Sequence, residues 1–327
     1  MKKVLYAAVM AVVIVVAGFG AYLTLLKPER ANPRDIRIAM TAERIERGRY
    51  LFENVADCGG CHSDRDWTRY GGPEKAGRRG SGMAFPEELD FPGSIVAPNI
   101  TPDPATGLGT WTDGEKIRAI REGISRDGHP LFGFMPYQSF AGMSDDDVQA
   151  LVAYLNTMPP VRSAMPRTKL DFPVSLLSRL DPKPVSGPVG APPASNRKLY
   201  GEYLVRLADC EGCHSQLDKG KPVSGLEFAG GHTFQIGKLV VNSANITPDE
   251  ETGLGKWSEE QFVMRFRANE HLTLENAPPA NQSGFTVMPW ASFSHLKEDD
   301  VRAIYTYLRG VKPVRNAVDV HPLQPGS

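Results

Sequence analysis

All four cysteines of this 327-residue chain fall in two copies of one pentapeptide, Cys58-Gly59-Gly60-Cys61-His62 and Cys210-Glu211-Gly212-Cys213-His214. Cys-x-x-Cys-His reads as a c-type haem attachment site, with two thiols for the porphyrin vinyl groups and the adjoining histidine as proximal iron ligand. Such a covalent demand dominates the fold, because the chain around each pentapeptide must wrap one face of a large apolar ring. Two other chemistries can use paired cysteines, a redox disulfide and a zinc site. A tetrahedral zinc taking Cys58, Cys61, Cys210 and Cys213 leaves both trailing histidines without a role, and neither pentapeptide sits in a βαβ setting. The composition therefore points to two covalently bound haem c groups, with His62 and His214 on the irons.

The surroundings of the pentapeptides repeat as well. Gly48-Arg49-Tyr50-Leu51 precedes the first as Gly201-Glu202-Tyr203-Leu204 precedes the second. Asn99-Ile100-Thr101-Pro102-Asp103 recurs as Asn245-Ile246-Thr247-Pro248-Asp249, each followed by Thr-Gly-Leu-Gly-x-Trp ending at Trp111 and Trp257. Met135-Pro136-Tyr137 with Ser139-Phe140 recurs as Met288-Pro289-Trp290 with Ser292-Phe293, and the copies then align without a gap to Val161 and Val314. Two homologous domains are predicted, 41–162 and 196–316, a count that the length accommodates at ~100–200 residues per domain. A linker covers 27–40, a Pro-rich linker 163–195 and a tail 317–327. The apolar patch of the Pro-rich linker, Leu170, Phe172, Val174, Leu176 and Leu177, is expected to pack onto one of the domains.

Residues 1–26 form the other strong signal. Lys2 and Lys3 precede an uncharged run from Val4 to Leu26, closed by Lys27-Pro28-Glu29-Arg30. At 1.5 Å per residue this run spans the ~30 Å hydrocarbon core. It is longer than the apolar region of a cleaved signal and runs past Gly18-Phe19-Gly20, a weak cleavage candidate, so an uncleaved anchor is expected over a removed signal; either way the lysines stay inside and the rest is exported. The formal net charge of −1 gives no argument for nucleic acid.

Within each domain, Ala42–Val55 and Asn196–Leu207 read as helices delivering Cys58 and Cys210. The last helices open at Ser144-Asp145-Asp146-Asp147 and Lys297-Glu298-Asp299-Asp300, where acidic residues suit a helix N-terminus. Gly48 and Gly201 are expected to let an aromatic of the last helix approach closely, and Tyr154 and Tyr307 to be core packing.

The sixth iron ligand separates a carrier from a catalyst. Met135 follows His62 by 73 residues and Met288 follows His214 by 74, in the same Met-Pro-aromatic context. No other methionine matches between the copies, so these two are the expected axial ligands; a Met/His pair suits electron transfer. His129, His232, His271 and His295 lack counterparts and are weaker candidates. Trp111 and Trp257 are donors only, able either to hold a haem propionate at the rim or to pack in the core. Arg121 and Arg267, ten residues after the tryptophans, could neutralise propionates or face solvent.

From about Thr41 to Val314 the chain resembles the c-type cytochrome subunits of bacterial membrane-bound dehydrogenases of the alcohol, gluconate and aldehyde type. The shared pattern is Cys-x-x-Cys-His, Asn-Ile-Thr-Pro-Asp with Thr-Gly-x-Gly-x-Trp, then Met-Pro-x-x-x-Phe before a terminal helix. The resemblance implies an all-α fold of two tandem cytochrome c domains of class I type. It implies single-electron transfer, without catalysis, from a periplasmic dehydrogenase subunit towards quinone or a terminal oxidase, on the periplasmic face of the inner membrane. Those subunits generally carry three haem domains, and this chain has two. The competing enzyme is a dihaem peroxidase, which needs one labile sixth ligand; a haem-based sensor or assembly factor would need an output domain that the sequence does not offer.

Overall fold

In the computed structural model, the structure describes residues 2–25, 27–89, 91–218 and 221–322. The first element is helix α1 (Lys2–Leu25), long and apolar enough over Lys2–Tyr22 to cross a membrane. Leu26, the end of the expected span, and 323–327 of the expected tail lie outside the described residues.

Two sets of helices then follow in the same order. The first is α2 (Ala42–Tyr50), continued by a π turn over Leu51–Val55, α3 (Cys58–His62), α4 (Asp113–Glu122), α5 (Tyr137–Phe140) and α6 (Asp145–Thr157). The short α7 (Val174–Leu177) lies in the connection. The second set is α8 (Arg197–Leu207), α9 (Cys210–His214), α10 (Glu259–Arg267), α11 (Trp290–Phe293) and α12 (Glu298–Leu308). The start signals are local. Thr41 accepts from Arg44 N, Asn196 from Leu199 N, and Ser144 from Asp147 N. Thr112 with Glu115 and Ser258 with Gln261 form full capping boxes, so each satisfies orphan donors at both ends of the motif.

An all-α description is too narrow. Among the described residues there are four two-stranded antiparallel sheets. In chain order the strands are β1 (Met83–Ala84), β2 (Gly93–Ser94), β3 (Val96–Ala97), β4 (Lys169–Leu170), β5 (Leu217–Asp218), β6 (Lys221–Pro222), β7 (Thr233–Ile236) and β8 (Leu239–Asn242). β1 pairs with β3, β2 with β4, β5 with β6, and β7 with β8. They brace the long loops after each attachment helix, where backbone polar groups would otherwise lack partners.

In each half the first helix crosses the last one at van der Waals contact. A Cβ on Gly48 would stand 1.8 Å from Ala150 O, and one on Gly201 2.0 Å from Ala303 O. The close approach is thus to a backbone carbonyl first, with Tyr154 and Tyr307 next in line. Tyr154 also does more than pack: its hydroxyl donates to Glu53 at 2.8 Å. Leu51, Phe52, Val55, Leu151 and Val152 of the first half and Leu204, Leu207, Phe262, Ile304 and Leu308 of the second belong to one continuous buried cluster.

The halves join across a pseudo-two-fold arrangement. Tyr50 donates to Asp300 at 2.5 Å and accepts from Lys297 N at 3.0 Å. The equivalent Tyr203 donates to Asp147 at 2.7 Å and accepts from Ser144 N at 3.1 Å. Each tyrosine thus caps the last helix of the opposite half. The connection between them, including β4 and α7, packs on the first half through Ser178, but Phe172 and Leu177 face outwards, contrary to the expectation that the whole patch packs down. A helix of one turn has too narrow a face to bury every apolar residue in the segment.

Candidate functional site

Each attachment helix begins at a left-handed residue, Asp57 (φ 41°) before α3 and Asp209 (φ 50°) before α9. Aspartate tolerates this region better than most residues. The kink turns the chain sharply out of the preceding helix, so that both thiols and the histidine project into the interior.

That interior is one continuous cavity of about 1240 Å³ that reaches both halves. It exceeds the ~300–1,000 Å³ usual for a single small ligand. Cys58, Cys61, His62 and Met135 line it from the first half; Cys210, Cys213, His214 and Met288 line it from the second. The structure therefore brings together all eight residues expected to attach or ligate haem. Trp111 and Trp257 also line it, neither of them buried, which suits a rim and not a core position.

The histidines are set for metal ligation by the backbone. His62 Nδ1 lies 2.8 Å from Pro98 O, and His214 Nδ1 lies 2.7 Å from Ala244 O. A carbonyl can only accept, so Nδ1 carries the proton and Nε2 keeps its lone pair free. Burial pushes both imidazoles below their ordinary pKa, against the weaker opposing effect of the carbonyl bonds, and this favours the neutral ligand form. The cysteines are unpaired. Desolvation by the surrounding side chains pushes the Cys61 and Cys210 thiols up to about 12 and raises Cys58 and Cys213 as well, the opposite direction from an activated thiolate. Among the described residues no His/Cys/Asp/Glu group is arranged to hold a bare metal ion, so the zinc alternative finds no site.

The two attachment helices face each other. Asp57 accepts from Ser292 of α11 at 2.6 Å, and Asp209 from Ser139 of α5 at 3.4 Å. Cys61 is near enough to raise the Cys213 thiol. Burial pushes Asp57 and Asp209 up to about 6; Arg65 opposes it at Asp57, whereas at Asp209 the opposing group is the Ser139 hydroxyl.

Arg121 and Arg267, offered by the sequence as propionate partners or solvent-facing residues, are not among the residues that line the cavity. Arg121 is held by Asp145 and donates to Ala141 O at 3.3 Å; Arg267 donates to Ser294 O and to Leu296 O at 2.7 Å. Ala141 and Ser294 are equivalent positions, so both arginines latch the turn that follows the methionine. Of the weaker histidines, His129 lies on the cavity wall with its ring engaged by Asp127, while His295 bonds to Ala291 O. His321, to which the sequence assigned no role, also lines the cavity with its Nδ1 buried and unpartnered among the described residues.

The repeated Asn-Ile-Thr-Pro-Asp motif has a structural purpose. Asn99 Nδ2 donates to Val161 O and Asn245 Nδ2 to Val314 O, while Asp103 and Asp249 accept from Thr106 and Thr252. Each motif ties the segment after the last helix to the cavity wall.

The cytochrome c family model matches residues 45–159. The gluconate 2-dehydrogenase cytochrome c subunit of Pantoea cypripedii is 32% identical over 284 residues, covering 82% of this chain and 59% of that protein. The alcohol dehydrogenase (quinone) cytochrome c subunit of Gluconobacter oxydans is 28% identical over 281 residues, covering 83% and 55%. A diheme cytochrome c-type protein of Cereibacter sphaeroides is 28% identical over 318 residues, covering 93% and 97%. The chain spans little more than half the length of the dehydrogenase subunits it matches. Residues 45–159 thus match the cytochrome c family, and the chain is similar to the cytochrome c subunits of dehydrogenases over most of its length.

Proposed function

We propose that this chain, with its cytochrome c domain, is a two-haem electron carrier built from two tandem cytochrome c domains. It is anchored by α1 in a bacterial inner membrane, with the haem domains in the periplasm. It takes single electrons from a periplasmic dehydrogenase and passes them towards quinone or a terminal oxidase. The observation that carries this reading is the duplicated set of thiols, histidine and methionine lining one cavity.

When bound, haem iron supplies reversible one-electron chemistry. Cys58 with Cys61 and Cys210 with Cys213 would hold the porphyrins, His62, Met135, His214 and Met288 would bind the irons, and Trp111 and Trp257 would meet the propionates. The apolar walls exclude water. Pro98 and Ala244 carbonyls fix the imidazole tautomer. The tyrosine–aspartate bonds between the halves hold the two centres at one separation, which a relay between them requires.

A strain lacking this chain should lose respiration on one oxidisable substrate while its membranes keep the dehydrogenase's activity with artificial dyes. Peroxide consumption at enzymatic rates by the purified protein, with no dehydrogenase depending on it, would refute the assignment in favour of a dihaem peroxidase.

A further inference from the structure

Phe172 is 80% exposed, the highest value for a large apolar side chain among the described residues. Leu177 and Leu180, also exposed at 47% and 43%, stand within nine residues of it. Their surroundings say what covers them. α7, which contains Leu177, lies against α1, the helix long enough to span a bilayer. Just beyond the patch, Lys183 pairs with Glu29 at 2.6 Å. Glu29 is four residues past the end of α1, a reach of at most ~14 Å for extended chain. Two independent links thus keep the patch where α1 leaves the membrane. Around it stand Lys169, Arg179 and Lys183, alongside Asp171 and Asp181, a mixture suited to the headgroup layer.

We propose that Phe172, Leu177 and Leu180 form a lip that enters the headgroup–acyl boundary of the outer leaflet beside α1. The inference rests on the reading of α1 as an anchor. Its occupant is lipid because the patch is continuous with a membrane span and consists of one aromatic and two leucines with charges at the border, the composition of an interfacial contact. The placement has a consequence for the electron path. Leu170, Ser175, Ser178 and Arg179 of this same segment line the first half of the cavity together with Phe85 and Phe134. The lip therefore lays the first haem site, and not the second, against the bilayer.

The test uses the full haem-loaded chain in the membranes of the producing cell. Thioether formation consumes the four native thiols, so a single new cysteine can carry a benzophenone. Phe172→Cys and Leu177→Cys should yield phospholipid adducts on irradiation, seen as a mass increase. Val13→Cys in α1 should do the same, and Met264→Cys, exposed on α10, should not. Adducts at position 13 with none at 172 or 177 would overturn the lip while leaving the anchor intact. Capture of a polypeptide at 172 would overturn it in favour of a protein-facing surface. Absence of lipid at position 13 would remove the anchor and the lip together.

Discussion

Replacing Gly48 with alanine sets two effects of opposite sign against each other. In an exposed helix the change would stabilise by about 1 kcal/mol, because glycine is the poorer helix former. Here the new methyl would stand 1.8 Å from Ala150 O and 2.5 Å from its carbonyl carbon. A carbon–oxygen contact sits at about 3.3–3.6 Å, so α2 and α6 must part by roughly 1.5 Å. The obstruction is backbone inside a helix and cannot swing aside, so the strain falls at the upper end of the usual ~1–3 kcal/mol for overpacking. The net is a loss of about 2 kcal/mol, a fall of about 4–8 °C in melting temperature. Gly201→Ala should behave alike but slightly more mildly, since its closest contact is 2.0 Å. Thermal unfolding followed by circular dichroism on the haem-loaded protein reads both. A Gly48→Ala protein as stable as the parent, or more so, would refute the helix-crossing argument.

Other expectations follow from the same geometry. Tyr50→Phe removes a donor to the buried Asp300; a hydrogen bond to a charged group is worth about 1.5–3 kcal/mol. Denaturant unfolding should show a loss of that size, with a similar one for Tyr203→Phe. Met135→Ala and Met288→Ala should each abolish the long-wavelength sulfur-to-iron absorption of one haem and admit carbon monoxide at that iron alone; readily formed carbon monoxide adducts in the parent would contradict the ligand assignment. Asp57 and Asp209 are raised to about 6 from an ordinary 3.8. A raised carboxyl contributes stability that is complete below about pH 4 and is lost as pH climbs through about 6. Melting temperature should therefore fall between these limits, and Asp57→Asn with Asp209→Asn should flatten that slope.

What the sequence reveals and what it hides divide along the range of the interactions. Cys58, Cys61 and His62 are legible because covalent attachment requires fixed spacing within five residues. Met135 and Met288 stand out from the other methionines because the duplication supplies a second copy as a control, and both line the cavity. Arg121 and Arg267 repeat just as faithfully, yet repetition marks only that a residue matters. Whether its guanidinium points to the cavity or to the Ala141 and Ser294 carbonyls depends on which face of the helix is turned inwards. The tyrosine clasp was hidden for a related reason. Tyr50 and Tyr203 stand in the repeated Gly-x-Tyr-Leu of their own helices, which names no partner, and their partners lie 250 and 56 residues away in the other half. The β7–β8 hairpin, by contrast, does carry a local signal, the Gly237-Lys238 pair between the alternating Thr233-Phe234-Gln235-Ile236 and the apolar Leu239-Val240-Val241. It is easily lost in chain so rich in glycine and proline.

The central claim is that the two pentapeptides each hold a haem. The intact mass of the mature, denatured polypeptide tests it most directly, because thioether bonds survive denaturation. The account predicts a mass equal to the polypeptide plus two haems, falling to one haem in Cys58→Ala/Cys61→Ala with the second half still loaded. A mature protein carrying one haem or none would contradict it.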